Sequence, residues 1–536
     1  MLTNRVEVTG RRDRLPDLGE YVARAAAQGR LVVQPRMGLP EPQQMTAGLW
    51  AVAAAGPSVA GTITLDSYTR VGDHVSARKA LDEGQPLNGF PLVAHGAPVT
   101  AQVTAGLPVP VQVRHGSADP GEIFRTMARA GLSASEGGPV SYCLPYGRTP
   151  LAESVAAWRD ASAQLADRCR AQGTRAHLET FGGCLLGQLC PPSLLIAMSV
   201  LEALFFVQQG VESVSLSYAQ QTHPVQDIEA LAALRVLAHE LLPSRVDWHL
   251  VLYTFMGVFP RTAEGAKQLL DTSADIAVRG GAERLIVKTV AEAHRIPTVA
   301  ENLTALHTAD ARAQRARSAS QLPAAHQVDA QVSLAEARAL IEPVLEHGDI
   351  GEGLLAAFRD GYLDVPFCLH ADNRGLTQGF IDPEGRLGWA QTGRLPLPRA
   401  SAWRGRLSSG ELLTMLYFNA DRHDECAVQL ATEIPALTAP HPYRVAVIGA
   451  GPRGLAVLER LAARLTVQPA GRPVELYAID AVQPGSGRIW RTDQADSLLM
   501  NTPAGEVTMF SGPRDVGPTR PGAGPRSPAS YPVGFC

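Results

Sequence analysis

AHLETFGG (176–183), LLIAMSVLEALFFVQQG (194–210) and SVSLSYAQ (213–220) together decide the fold. A short run closes on a glycine turn, a long apolar helix follows, and a second short run takes up the chain. That is the βαβ unit of a parallel sheet. Downstream it recurs as the helix VQDIEALAALRVLAHELL (225–242) and the runs DWHLVLYTFMG (247–257) and ERLIVKT (283–289). Upstream, LVVQPRMG (31–38), AGTITLDSYTR (60–70), LNGFPLVAHG (87–96), PVQVRHG (110–116) and GLSASEGG (131–138) have the same form. These nine runs predict an α/β fold, a (β/α)₈ TIM barrel of roughly 250 residues. Eight strands close such a barrel, so one run is not a barrel strand.

The rest of the chain divides around that barrel. Residues 1–30 read as a helical lead-in, 31–300 as the barrel, and 301–430 as an extension, helical at first and irregular around DVPFCLHADNRG. Prolines mark a linker over 431–442. Residues 443–510 read as a partial Rossmann-like segment, and 511–536, where 11 of 26 residues are Gly or Pro, as a disordered tail. With 48 basic and 52 acidic residues, a net charge of -4 gives no electrostatic case for a nucleic-acid partner. The apolar stretch 194–207 is too short to span a bilayer, and the N-terminus carries no secretory h-region. Seven cysteines without a C-x-x-C spacing argue against a disulfide framework or a zinc site. A cytoplasmic, multi-domain protein is expected.

In a barrel the C-terminal strand ends converge on the active site. The residues expected there are Arg36, Arg70, Arg114 with His115, Glu136, Glu179 and Lys288. Three arginines at successive strand ends focus positive potential into one cleft, which suits an anion with two carboxylates. Glu136 among those cations suits an ammonium group. An amino-dicarboxylate satisfies both. Only three of the 48 basic residues are Lys (Lys79, Lys267 and Lys288), so Lys288 marks a place where a compact point charge is kept.

The motifs QPRMG, DSYTR, LNGFP, RHG, EGG-x-x-SY-x-x-PY, LCPPS, MG-x-FP and IVKT-x-x-E-x-x-x-IPT occur in that order. In these the chain, from about residue 31 to 430, resembles the large (epsilon) subunits of the adenosylcobalamin-dependent glutamate mutases, also called methylaspartate mutases. The resemblance implies a radical isomerase interconverting L-glutamate and threo-3-methyl-L-aspartate. It implies substrate contacts at Arg36, Arg70, Arg114, His115, Glu136, Tyr142 and Tyr146, with Glu136 and Arg114 closest to the chemistry. It implies cofactor contacts at Gly38, Asn88, Pro145, Phe259, Lys288, Glu292 and Ile296, with Lys288 and Glu292 at the adenosyl ribose. It further implies a small cobalamin-binding (sigma) partner, two copies of each subunit assembling as a heterotetramer. Departures from the family pattern are Cys143, Phe255 and the run Ser217-Tyr218-Ala219. The family's free-standing cobalamin domains carry Asp-x-His-x-x-Gly. Asp247-Trp248-His249 begins that way but lacks the Gly, so His249 reads as a core histidine and not a cobalt ligand.

Gly449-Ala450-Gly451-Pro452-Arg453-Gly454 lies between a strand and a helix, with Asp480 ending the next strand. This is a dinucleotide fingerprint in its required context. With the flanking PGSGRIWRTDQ it resembles the opening of FAD/NAD(P)-binding oxidoreductases, here as a truncated, non-catalytic remnant. Two alternatives stay open on the sequence: an FAD- or NAD(P)-dependent oxidoreductase acting on an amino-dicarboxylate, and a catalytically degenerate mutase subunit. The exact substrate, the metabolic role and the stoichiometry do not follow from the residues.

Overall fold

The computed structural model describes residues 14–398 except 146 and 186, then 407–431, 443–449, 474–479 and seven isolated positions between 454 and 465. The chain forms two compact units, Met1–Ala431 and Thr432–Cys536.

Eight parallel strands make the first unit's sheet: β1 (Val32–Pro35), β2 (Gly61–Thr64), β3 (Val111–Arg114), β4 (Ala134–Gly137), β5 (His177–Thr180), β6 (Ser213–Ala219), β7 (Asp247–Tyr253) and β8 (Arg284–Val287). From β2 to β8 each pairs with its neighbour in sequence, and β8 returns to β1. The seam between β1 and β2 closes through the Val33–Val59 bridge, where Val33 N donates to the Ser58 carbonyl at 3.0 Å. The result is a TIM barrel. The ninth run, 87–96, is the one that is not a strand. Its Phe90 makes a single bridge to Leu65, and Pro91 then starts the helix Leu92–Val103.

Helices follow the strands on the outside, and the eighth is Val299–Ala319. It packs on β1 and β8, so the barrel's last helix lies within the stretch read as the start of the extension. The lead-in forms Leu18–Ala27, capped by Asp17, and packs against β1, β6 and β7. Its Leu18 and Val22 bury against Val32, Ala60 and Ala134, the first or near-first residues of their strands. Beyond the barrel, an antiparallel hairpin of β9 (Thr377–Ile381) and β10 (Leu387–Thr392) precedes the helix Ser409–Ala431. The sequence pattern predicts no hairpin here.

Strand alternation sorts the barrel's residues. Outward positions such as Val33, Ile63, Val113, Leu178, Val214, Leu250 and Leu285 join one apolar core with the helices. Many inward positions are polar. Gln34 donates to Thr62 and Gln112, both at 2.8 Å, and Gln112 donates to Glu179 at 3.1 Å. Arg284 donates to Gln34 at 2.6 Å, to Ser215 at 3.0 Å and to His249 at 3.2 Å, and pairs with Glu179. Arg284 and Glu179 are fully buried. His249 stacks on His177 at 5.3 Å within the same interior.

In the second unit, β11 (Tyr443–Ile448) and β12 (Val474–Ile479) pair in parallel. Gly449 turns at φ +85° and donates to the Ile479 carbonyl at 2.8 Å. A Cβ on Gly454 would lie 2.1 Å from the Gly449 carbonyl oxygen, so only glycine fits that approach. Gly451, Asp480, the tail and all of the linker after Ala431 fall outside the described residues.

Removing the charge at Arg284 leaves Glu179 buried and uncompensated. Arg284→Met is expected to lower stability by about 3–5 kcal/mol, read as a shift of the denaturation midpoint. Wild-type stability in that variant would contradict the ion-paired interior.

Candidate active site

Inward-facing positions near the ends of β3 and β4 carry a second charged pair. Arg114 follows Gln112 by two on β3, and Glu136 follows Ala134 by two on β4. Arg114 Nε lies 2.7 Å from Glu136 Oε1, with side-chain exposures of 5% and 1%. Tyr142 and Tyr253 both donate to Glu136, Tyr253 at 2.6 Å. The Arg114 guanidinium stands 5.2 Å from the centre of the Tyr253 ring. Burial opposes the Arg114 charge, but Glu136, Tyr253 and Tyr142 outweigh it and hold its pKa well above the usual value.

Arg114 is placed by its ion pair without being satisfied. Its Nη1 has no acceptor among the described residues. Next to it, His115 Nδ1 accepts from Ser117 N at 3.1 Å, which puts the ring proton on Nε2. Burial, with Arg70 beside it, pushes the His115 pKa down to about 3. The ring is therefore neutral, and its Nε2–H also lacks a partner. Arg70 Nε is a further buried donor with none. Buried donors almost always find acceptors, so this group is built to receive one.

Arg70 reaches the group by a route the sequence reading had not given. β2 ends at Thr64, and Arg70 closes the helical turn Ser67–Arg70, whose N-cap Asp66 accepts from Tyr68 and Thr69. A polar cap beside a Thr ends the strand early. Arg70 then lies along Gly116, where a Cβ would meet its Cδ at 3.2 Å. Glu179 also departs from expectation. It faces the interior, committed to Arg284, Gln112, Ser215 and Tyr253, and is not a mouth residue.

A second charged group follows β8. Lys288 Nζ sits 3.0 Å from Glu292 Oε1 and 5.1 Å over the Phe259 ring, and Arg36 Nη1 reaches the same Glu292 oxygen at 3.2 Å. Burial lowers the Lys288 pKa to about 8, with Glu292 opposing and Arg36 and Arg114 assisting. Glu292 is held below the usual carboxylate range because Lys288 and Arg36 outweigh its burial. Arg114 acts on both residues, which ties the two groups into one electrostatic site. Around it, Asn88 Oδ1 accepts from Ser67 N at 2.9 Å, Pro145 is half-buried and Ile296 is exposed. A Cβ on Gly38 would lie 2.2 Å from the Thr64 carbonyl oxygen, so glycine lets β1 and β2 approach here. Tyr146 falls outside the described residues.

Three supports escaped the sequence reading. Trp158 stacks on His115 at 5.6 Å, and Phe124 and Tyr142 close the aromatic wall. Glu202, in the helix Pro192–Gln208, accepts from Ser141 N and Oγ, Phe181 N and Gly182 N. It thereby ties the Tyr142 loop to the loop after β5. The irregular stretch 365–376 braces the same loop from outside. There His370 Nε2 lies 3.0 Å from the Thr149 carbonyl, and Asp372 accepts from Leu151 N at 2.7 Å. An acidic residue in an apolar helix was the available signal for Glu202.

Residues 16–404 match the methylaspartate mutase E chain family, and residues 446–516 match an FAD-NAD(P)-binding family. The chain is similar to the glutamate mutase epsilon subunit of Yersinia enterocolitica, 34% identical over 354 residues, covering 63% of this chain and 72% of that one. It is similar also to the glutamate mutase epsilon subunit of Haloarcula marismortui, 32% identical over 399 residues, covering 72% and 80%. Among the described residues no helix is long and apolar enough to cross a membrane.

Burial pushes the Glu202 carboxyl up to about 7 from 4.5, against its four donors. The folded chain therefore binds this proton more tightly than the unfolded chain. The associated stability is complete below about pH 4.5 and is lost as pH rises through about 7. Denaturation of the wild type and of Glu202→Gln across that window should show the wild type losing more stability. Parallel pH profiles would contradict it.

Proposed function

The chain belongs to the methylaspartate mutase E chain family, a family of isomerases, and from that membership we propose that it is the large subunit of an adenosylcobalamin-dependent glutamate mutase. Its reaction is the interconversion of L-glutamate and threo-3-methyl-L-aspartate. The observation that carries this reading is the group of buried donors without acceptors (Arg70 Nε, Arg114 Nη1, His115 Nε2) beside the acceptor Glu136. Carboxylates satisfy the donors by charge-assisted hydrogen bonds, and Glu136 receives the ammonium.

In this reading Arg36, Arg70 and Arg114 grip the two carboxylates, and His115, Tyr142 and Tyr146 complete the cage. Glu136 already accepts from two phenols and faces Arg114. A carboxylate has about four lone-pair sites, so one remains for the ammonium. Held at both ends, the substrate skeleton can break and rejoin without its fragments drifting apart. The aromatic wall of Tyr142, Trp158 and Phe124 keeps water from that space.

Residues at the mouth fit the adenosyl part of the cofactor. Lys288 has donors beyond its bond to Glu292, and Glu292 is exposed enough, at 23% of its side chain, to accept from a diol. Asn88, Gly38, Pro145, Phe259 and Ile296 would line the same approach. When bound, adenosylcobalamin supplies the radical that removes a substrate hydrogen. A small cobalamin-binding subunit, two copies of each chain assembling together, would carry the corrin. The C-terminal unit, with Gly449, Gly451, Gly454 and Asp480 as its nucleotide-binding candidates, is similar to an FAD/NAD(P)-binding family and stands outside this chemistry.

The test is isomerisation of L-glutamate by the purified chain with adenosylcobalamin, with and without a matching small subunit. Turnover is expected only with both. Arg114→Lys keeps the charge but loses the planar fork, and should weaken glutamate binding by about 1.5–3 kcal/mol. Arg114→Met should weaken it further, with the circular dichroism spectrum unchanged. Turnover without the partner, or wild-type glutamate affinity in Arg114→Met, would overturn the reading.

A further inference from the structure

Glu136 and Glu179 are register partners on adjacent strands, and both point into the barrel. Like charges so placed repel, and each is offset by its own guanidinium: Arg114 on Glu136 and Arg284 on Glu179. Between the two carboxylates stands the Tyr253 hydroxyl. It lies 2.6 Å from Glu136 Oε2 and also contacts Glu179 Oε1. Five buried side chains thus form one row: Arg114, Glu136, Tyr253, Glu179, Arg284.

A phenol has one proton and two acceptor lone pairs. Tyr253 can donate to only one of its two carboxylate neighbours at a time. The contact with the other becomes a hydrogen bond only when that carboxyl holds a proton of its own. We propose that Tyr253 is a positioning residue of the active site that passes a proton between Glu136 and Glu179.

The proposal rests on the reading of Glu136 as the partner of the substrate ammonium. When Glu136 takes a proton from that ammonium, its new O–H donates to the Tyr253 oxygen. The Glu136 O–H bond then breaks as a Tyr253 O–H bond forms, and the phenol's original proton leaves for Glu179 Oε1. No electrons change hands, and the reverse shift restores the starting state. Glu136 is returned to the anion that Arg114 requires, while the proton stays inside the barrel on Glu179. Glu179 is held in place by Arg284, Gln112 and Ser215.

Groups facing the row come from several elements. β3 brings Arg114 and His115, β4 and its loop Glu136 and Tyr142, and β5 and its turn His177, Glu179 and Cys184. β7 brings His249, and β8 with its loop brings Arg284, Lys288 and Glu292. Gln34 and Ser215 add uncharged hydrogen bonds from β1 and β6.

The experiment is the pH profile of glutamate isomerisation by the chain assembled with its small subunit, for wild type, Tyr253→Phe, Glu136→Gln and the double variant. Tyr253→Phe takes a donor from the Glu136 anion, so the acid limb of kcat/KM should move to higher pH. KM for glutamate should rise about tenfold, the loss of one hydrogen bond to a charged group, with kcat changed less. In the Glu136→Gln background the same substitution should add almost nothing. An unmoved acid limb, or equal losses in both backgrounds, would overturn the proposal. Should Tyr253→Phe not fold, Glu179→Gln gives the second arm. Removing the negative neighbour should move the acid limb to lower pH, and an unmoved limb overturns the proposal there too. A wild-type assembly that does not isomerise glutamate, or a Glu136→Gln variant with unaltered kinetics, identifies failure of the underlying reading and removes the proposal with it.

Discussion

Two arginines and two glutamates are buried inside one parallel barrel, and none of the four is tolerable there alone. Taking a charge out of water costs several kcal/mol, repaid only by close opposite charge and by hydrogen bonds on the remaining atoms. Arg284 and Glu179 meet that condition through Gln34, Gln112, Ser215 and His249. Arg114 and Glu136 meet it only partly, because Arg114 Nη1 lacks an acceptor. The inner pair is therefore complete within the barrel, whereas the outer pair is completed by something that enters. The polar interior also explains why the strands carry Gln, Ser, His and Glu at alternate positions while their outward faces are apolar.

The βαβ alternation was legible because apolar outward positions recur in short runs separated by amphipathic or apolar helices. The one run that is not a strand, LNGFPLVAHG, looks the same in one dimension; Pro91 and the single Leu65–Phe90 bridge divert it into a helix. The charged residues were visible as Arg or Glu at run ends. Phase was harder to see. Counting by two from His249 puts Tyr253 inside, but attention to charged side chains alone passes over a phenol. DSYTR reads as the continuation of an apolar run, which sets Arg70 on a strand, whereas Asp66 caps a helical turn instead.

The extension was the least legible part, because its role lies in contacts and not in periodicity. DVPFCLHADNRG has no repeat to read. In space its His370 and Asp372 support the segment from Thr149 to Leu151, directly after the Tyr142 loop. Asp424 in the helix Ser409–Ala431 accepts from Arg261 and Thr262, which follow the loop carrying Phe259. The extension thus stiffens loops that bear candidate substrate and cofactor residues. Glu202 does the same from within the barrel's helical layer. Such bracing suits a site that must hold two substrate ends at fixed separation.

The central claim is that this cleft matches two carboxylates and one ammonium at once. The direct measurement is calorimetric titration of the chain, together with its small subunit, with L-glutamate, glutarate and 4-aminobutyrate. Glutarate lacks the ammonium and leaves Glu136 unanswered. 4-Aminobutyrate lacks one carboxylate and leaves part of the arginine set unpaired. Glutamate should bind tightest, with each analogue weaker by at least about tenfold, the value of one charged hydrogen bond. Equal affinity for glutamate and either analogue would contradict the account.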